Sequence, residues 1–66
     1  MGGLAMKTPP TKEEREMCRR LIAESVGNAL ITEWEAEDFL PSLQTQTFWS
    51  QKQRDILEAI WAKVME

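Results

Sequence analysis

The strings TKEE (Thr11 to Glu14), TEWE (Thr32 to Glu35) and SQKQ (Ser50 to Gln53) each set a Ser or Thr three residues ahead of a Glu or Gln. This spacing is the capping box. The hydroxyl accepts from the backbone N–H three residues on, and the Glu or Gln side chain accepts from the N–H of the capping residue. Both donors belong to the orphan set at a helix start, so the motif marks where helices begin. Three such starts, each followed by apolar residues at helical spacing, divide the 66 residues into three helices.

The first is expected over about 12–26, with Met17, Cys18, Leu21, Ile22 and Val26 on one stripe and a left-handed stop at Gly27-Asn28. The third is expected over about 51–65, where Ile56, Leu57, Ile60, Trp61 and Val64 form the cleanest stripe of the chain. Ile60 and Trp61 are accordingly expected at the centre of the core. No stretch alternates with period two, so the fold class is all-α: a small three-helix domain over 11–66. A tail over 1–10, with two glycines and two adjacent prolines and no periodicity, is expected to be disordered.

The middle helix is expected over 32–43, kinked or ended near Pro41, whose missing N–H and bulky ring break an α-helix unless a new turn starts there. Ile31 and Ala36 take the hydrophobic-staple positions around the Thr32 cap. On a 100°-per-residue wheel, Ala36, Phe39, Leu40 and Leu43 share a face, and Trp34 points nearly opposite, among Glu35, Glu37 and Asp38. Two readings of Trp34 stay open: packing against the first helix, or an exposed anchor for a partner. Phe48 and Trp49 are expected to close the end of the core, with an exposed patch as the alternative.

A chain of this size buries only about 60% of its unfolded surface, so its core is dense or is completed by a partner. One cysteine excludes an intrachain disulfide. No apolar run reaches the roughly 20 residues of a membrane span, and no signal peptide is recognisable, so a cytoplasmic protein is expected. Histidine is absent, which removes the commonest general base and metal ligand. Cys18 sits on an apolar stripe with no activating group and is expected to be an inert, buried thiol. Glu33 and Glu37 lie one turn apart, as a cation-binding pair would, but a solvated acidic face has the same pattern. No catalytic residue, cofactor or metal site is assigned, and a non-enzymatic protein is expected.

Charge is informative by position. Between Arg20 and Lys52 there is no basic residue, whereas Thr32–Trp49 holds four carboxylates. The candidate partner-binding face is therefore Glu33, Trp34, Glu35, Glu37 and Asp38, turned to a basic surface on another protein. The alternative is nucleic-acid association through the N-terminal ends of helices 1 and 3, with Arg15, Arg19, Arg20, Lys52 and Arg54 as candidates; the net charge of −3 opposes it. A third reading is a homodimer that completes the core.

Two stretches carry resemblances. WSQKQRDILEAI (Trp49 to Ile60) resembles the opening, scaffold helix of sigma-factor and response-regulator helix-turn-helix domains. The recognition helix of those families has no counterpart before Glu66, so the likeness implies capping and core grammar and no reading head. Leu30 to Val64 is similar to a short helical module of phage and bacterial proteins, on Thr32, Trp34, Glu35, Phe39, Leu40, Ser42, Leu43, Ser50, Lys52, Gln53, Leu57 and Ile60. Two points depart from that pattern: one extra residue between Glu35 and Phe39, and Pro41 before Ser42. The likeness implies an accessory module in a phage or mobile-element setting, beside proteins of nucleic-acid metabolism, and it implies no reaction.

Overall fold

A computed structural model describes residues 6–66. Three helices make up the fold. Helix α1 spans Lys12–Glu24, the middle helix runs over 33–45, and α3 spans Gln51–Met65. All three capping boxes form. Thr11 and Glu14 exchange bonds of 2.8 and 3.1 Å, Thr32 and Glu35 of 2.9 and 3.1 Å, and Ser50 and Gln53 of 2.8 and 3.2 Å. Each box satisfies two donors that a helix start otherwise leaves to water. Helix α1 ends as the sequence implies: Ser25 caps it, and Gly27 follows with φ +74°, a conformation that costs a side chain but not a glycine. Val26, placed on the apolar stripe by periodicity, is past the last helical turn and 86% exposed. The helix stops two residues short of it, and the turn swings it into solvent.

The middle helix neither ends at Pro41 nor stays α throughout. It begins as helix at 33–34, widens into a π turn over Glu35–Phe39, and resumes as α2 over Leu40–Thr45. The N–H of Leu40 donates to the carbonyl of Glu35, five residues back. Pro41 therefore enters in the first turn of a new α segment, where its missing N–H is an orphan in any case. The π turn also takes up one surplus residue, and that residue lies between Glu35 and Phe39. The π turn and the proline are thus one structural feature: the wider turn ends where Pro41 enters the new α segment.

The core gathers Cys18 and Leu21 from α1, Ile31 from the entry loop, and Phe39, Leu40 and Leu43 from the middle helix. Trp49, Leu57 and Ile60 complete it. Trp49 is fully buried, and its indole N–H donates to the Leu43 carbonyl at 2.9 Å, which settles the polar end of a large apolar ring. Its neighbour Phe48 is 50% exposed, so only one of the pair expected to close the core does so. Ile60 is buried, whereas Trp61 is half-buried with the Arg20 guanidinium 5.7 Å from its ring centre. The central tryptophan is Trp49.

Of the segment expected as a tail, residues 1–5 lie outside the described residues, and the next few are tied to the body. Thr8 and Trp49 pair antiparallel, with reciprocal N–H to carbonyl bonds of 2.9 and 2.8 Å. This single bridge is the whole of the β structure among the described residues. It places the strap of Thr8 and Pro9 along the entrance to α3.

Candidate partner-binding site

The acidic residues of the middle helix divide into two groups. Glu35 is consumed by the fold. One carboxylate oxygen caps Thr32, and the ammonium of Lys63 on α3 lies 2.8 and 3.1 Å from the two oxygens. Burial pushes its pKa up, but the hydrogen bonds from Lys63 and Thr32 and the positive charge of Lys63 outweigh it. The result lies below the ordinary 4.5. Glu35 consequently leaves the candidate face, because a carboxylate already paired and capped is not free for a partner. Glu33, Glu37 and Asp38 are exposed and make no ion pair among the described residues.

Trp34 lies at the centre of this group and is 52% exposed. With more than half of it in solvent, it is not one of the residues that build the core. Its ring stacks on Phe39, with centres 5.3 Å apart and planes inclined by 30°. The wheel missed this contact for a definable reason. In an α-helix residues five apart are turned about 140° from one another, so Trp34 and Phe39 would diverge. In a turn closed by i→i+5 bonds they lie one above the other. Pro41 was the signal available in the sequence, since a proline inside a continuing helical pattern demands a local change of winding.

A shallow groove of about 220 Å³ runs beside the stacked pair, lined by Trp34, Phe39 and Leu43 with Asp38, Gln46 and Gln53. The two glutamines are joined side chain to side chain at 2.9 Å, and Gln46 also donates to the Ser42 hydroxyl at 3.2 Å. This part of the site was not foreseen. Gln53 appeared only as a cap residue, and nothing in the spacing linked it to Gln46.

The basic candidates do not form one free cluster. Arg54 is withdrawn into the structure. Its Nε donates to Glu14 at 2.8 Å, and its other nitrogens reach the carbonyls of Trp49, Thr8 and Pro9 at 2.8, 3.2 and 3.1 Å. Arg15 donates to the Gln46 carbonyl at 3.3 Å, Arg19 is paired with Glu16, and Arg20 sits over Trp61. Lys52 is exposed. Lys12, Arg15 and Arg19 do line an open groove of about 550 Å³ with Glu16 between them.

Cys18 is buried, and its thiol donates to the Leu40 carbonyl at 3.6 Å. Burial pushes it up to about 11, against a smaller opposing effect of the Arg15 charge. Among the described residues no three Cys, Asp or Glu side chains stand close enough to hold a metal ion, and no helix is long and apolar enough to cross a membrane. No protein-family model, curated protein or solved structure matches the chain.

Proposed function

We propose that this protein is a small, non-enzymatic interaction module that binds a basic surface of a partner protein through its middle helix. The observation that carries this reading is the half-exposed Trp34 set among three uncompensated carboxylates, Glu33, Glu37 and Asp38. A large aromatic side chain held on a rigid helix and left half in solvent is the kind of anchor protein interfaces use. The surrounding charge steers a basic partner towards it. The winding supports the same reading: π turns inside α-helices occur frequently at functional sites. A phage or mobile-element origin belongs to this proposal on the strength of the module resemblance, and a cytoplasmic setting on the single cysteine and the lack of a recognisable span or signal peptide.

The nucleic-acid reading is weakened by the commitments of Arg54, Arg19 and Arg20. What remains in its favour is the groove beside Lys12 and Arg15. Self-association is the other competitor, since Trp34 and Phe48 both stay exposed.

The test is capture of partners from host lysate with the whole chain as bait, against a triple reversal of Glu33, Glu37 and Asp38 to Lys. One defined partner retained by the wild type and lost by the reversal supports the proposal. Equal retention by both sinks it. Binding to duplex or single-stranded DNA that weakens steeply with salt would install the nucleic-acid reading instead.

A further inference from the structure

The geometry points to the groove beside Trp34 and Phe39 as a receptor for one arginine side chain of the partner. This rests on the acidic-face reading above and narrows it to a chemical group. Size decides the first step. Pockets for whole small molecules run to roughly 300–1,000 Å³, whereas this groove holds about 220 Å³, the scale of a single long side chain.

Its lining decides the second step. One wall is the stacked pair of Trp34 and Phe39 with Leu43 beneath, and the other carries the Asp38 carboxylate and the amides of Gln46 and Gln53. An aliphatic tail would strip water from Asp38 without pairing it, and an acidic side chain is repelled by it. A cation on an apolar stem suits both walls. Between the two cations, guanidinium fits better than ammonium. It is planar, more weakly hydrated, stacks on an indole face, and meets a carboxylate through two parallel N–H donors.

Among the described residues nothing already fills this role. The groove's lining includes no lysine or arginine, and the Asp38 carboxylate makes no hydrogen bond or ion pair among the described residues. Arg20, which does sit over an indole, is on Trp61. Glu33 and Glu37 then act at longer range, raising the local concentration of basic segments, while the groove selects among them.

The probes are two blocked peptides of equal length and equal charge, one with lysine as its only basic residue and one with arginine. Each is titrated into the isotope-labelled whole chain, following the Trp34 indole N–H and the Gln46 and Gln53 side-chain amides. The arginine peptide is expected to bind about three- to fivefold tighter and to shift those three signals. Trp34→Leu and Asp38→Asn should each abolish the preference while keeping the melting temperature; Asp38 is exposed and serves if Trp34→Leu is unstable. Equal affinity for both peptides with the groove signals unmoved overturns the arginine site and leaves the acidic face standing. No binding of either peptide overturns both. An arginine preference that survives both substitutions places the selection elsewhere and overturns the site.

Discussion

The Nε of Arg54 lies 2.8 Å from Glu14, and the two side chains are only 12% and 24% exposed. Glu14 is the reciprocal member of the α1 capping box, and Arg54 stands one turn into α3. Their contact therefore locks the starts of two helices together. The remaining guanidinium nitrogens reach the strap of Thr8 and Pro9 and the Trp49 carbonyl, so one side chain ties together three chain segments. Arg54→Ala should cost about 2–3 kcal/mol, because it strips charged hydrogen bonds and leaves Glu14 partly buried without its partner. Arg54→Lys should recover little of that loss, since an ammonium cannot reproduce the planar fork. Chemical denaturation of the three proteins gives the ordering. A lysine variant as stable as wild type would show that charge alone does the work.

The same contact predicts an acid limit. Burial pushes the Glu14 carboxyl up, but Arg54 and Thr11 donate hydrogen bonds to it and the guanidinium charge adds to them. Its pKa falls below 4.5. Glu35 is lowered in the same sense by Lys63 and Thr32. A carboxylate depressed in the folded state stabilises the fold above its unfolded pKa, and that stability is lost as pH falls through the folded value. Stability should thus be flat at neutral pH and decline below about pH 4.5. Glu14→Gln and Glu35→Gln should each lower the plateau and flatten the decline. A melting temperature that falls just as steeply with acid in the double variant would assign the loss to other groups.

Trp49 should be the least replaceable tryptophan. It is fully buried, with its indole N–H on the Leu43 carbonyl. Trp49→Ala should cost about 3–5 kcal/mol, comparable to the entire stability of a domain this small. Trp49→Phe should cost about 1 kcal/mol for the lost hydrogen bond, since the Leu43 carbonyl still accepts from the Gln46 N–H at 3.2 Å. Ile60→Ala belongs near 3 kcal/mol, and Trp61→Ala should cost less than either alanine change in the core. Thermal melts of the set give the order directly. A Trp61→Ala loss as large as that of Trp49→Ala would contradict the burial pattern.

The parts of this fold legible from sequence were those encoded locally. Capping boxes need only residues three apart, and apolar stripes need only helical spacing, so the helix starts and most core positions followed from short windows. Trp49 against Trp61 was not decidable that way. Which of two tryptophans is central depends on the loop before α3, where Trp49 is held by Thr8, more than forty residues away along the chain. The candidate face was half legible. Carboxylates of one helix look alike in a string, and only the fold separates Glu35, which Lys63 occupies, from Glu33, Glu37 and Asp38, which form no ion pair among the described residues. Arg54 was misjudged for the same reason: its partners come from the opposite end of the chain.

Cys18 should be kinetically silent. Its thiol is buried, pushed up to about 11, and directed at the Leu40 carbonyl. At neutral pH very little of it is thiolate, the form that reacts. Modification by a soluble thiol reagent should proceed only through opening of the fold, so its rate should rise with denaturant in step with the unfolded fraction. Fast, denaturant-independent labelling of the native protein would mean that the junction of α1 and the middle helix opens locally.

The π turn and Pro41 should be energetically coupled. With Glu37 deleted, the middle helix is drawn back towards continuous α winding. Trp34 and Phe39 then stand four apart in sequence and remain neighbours on one face. Pro41, however, moves from the first turn of an α segment into a helix interior, where its ring meets the carbonyl four residues back at a cost of about 3 kcal/mol. Deletion alone should therefore be strongly destabilising. Combined with Pro41→Ala it should be nearly neutral, and Pro41→Ala alone should change little, because the residue it replaces sits where no donor is required. The measurement is a double-mutant cycle by denaturant unfolding, with the coupling read from the deviation from additivity. Additive effects would mean that the π turn is held by the stacking of Trp34 on Phe39 or by the Glu35–Lys63 pair, and not by the proline.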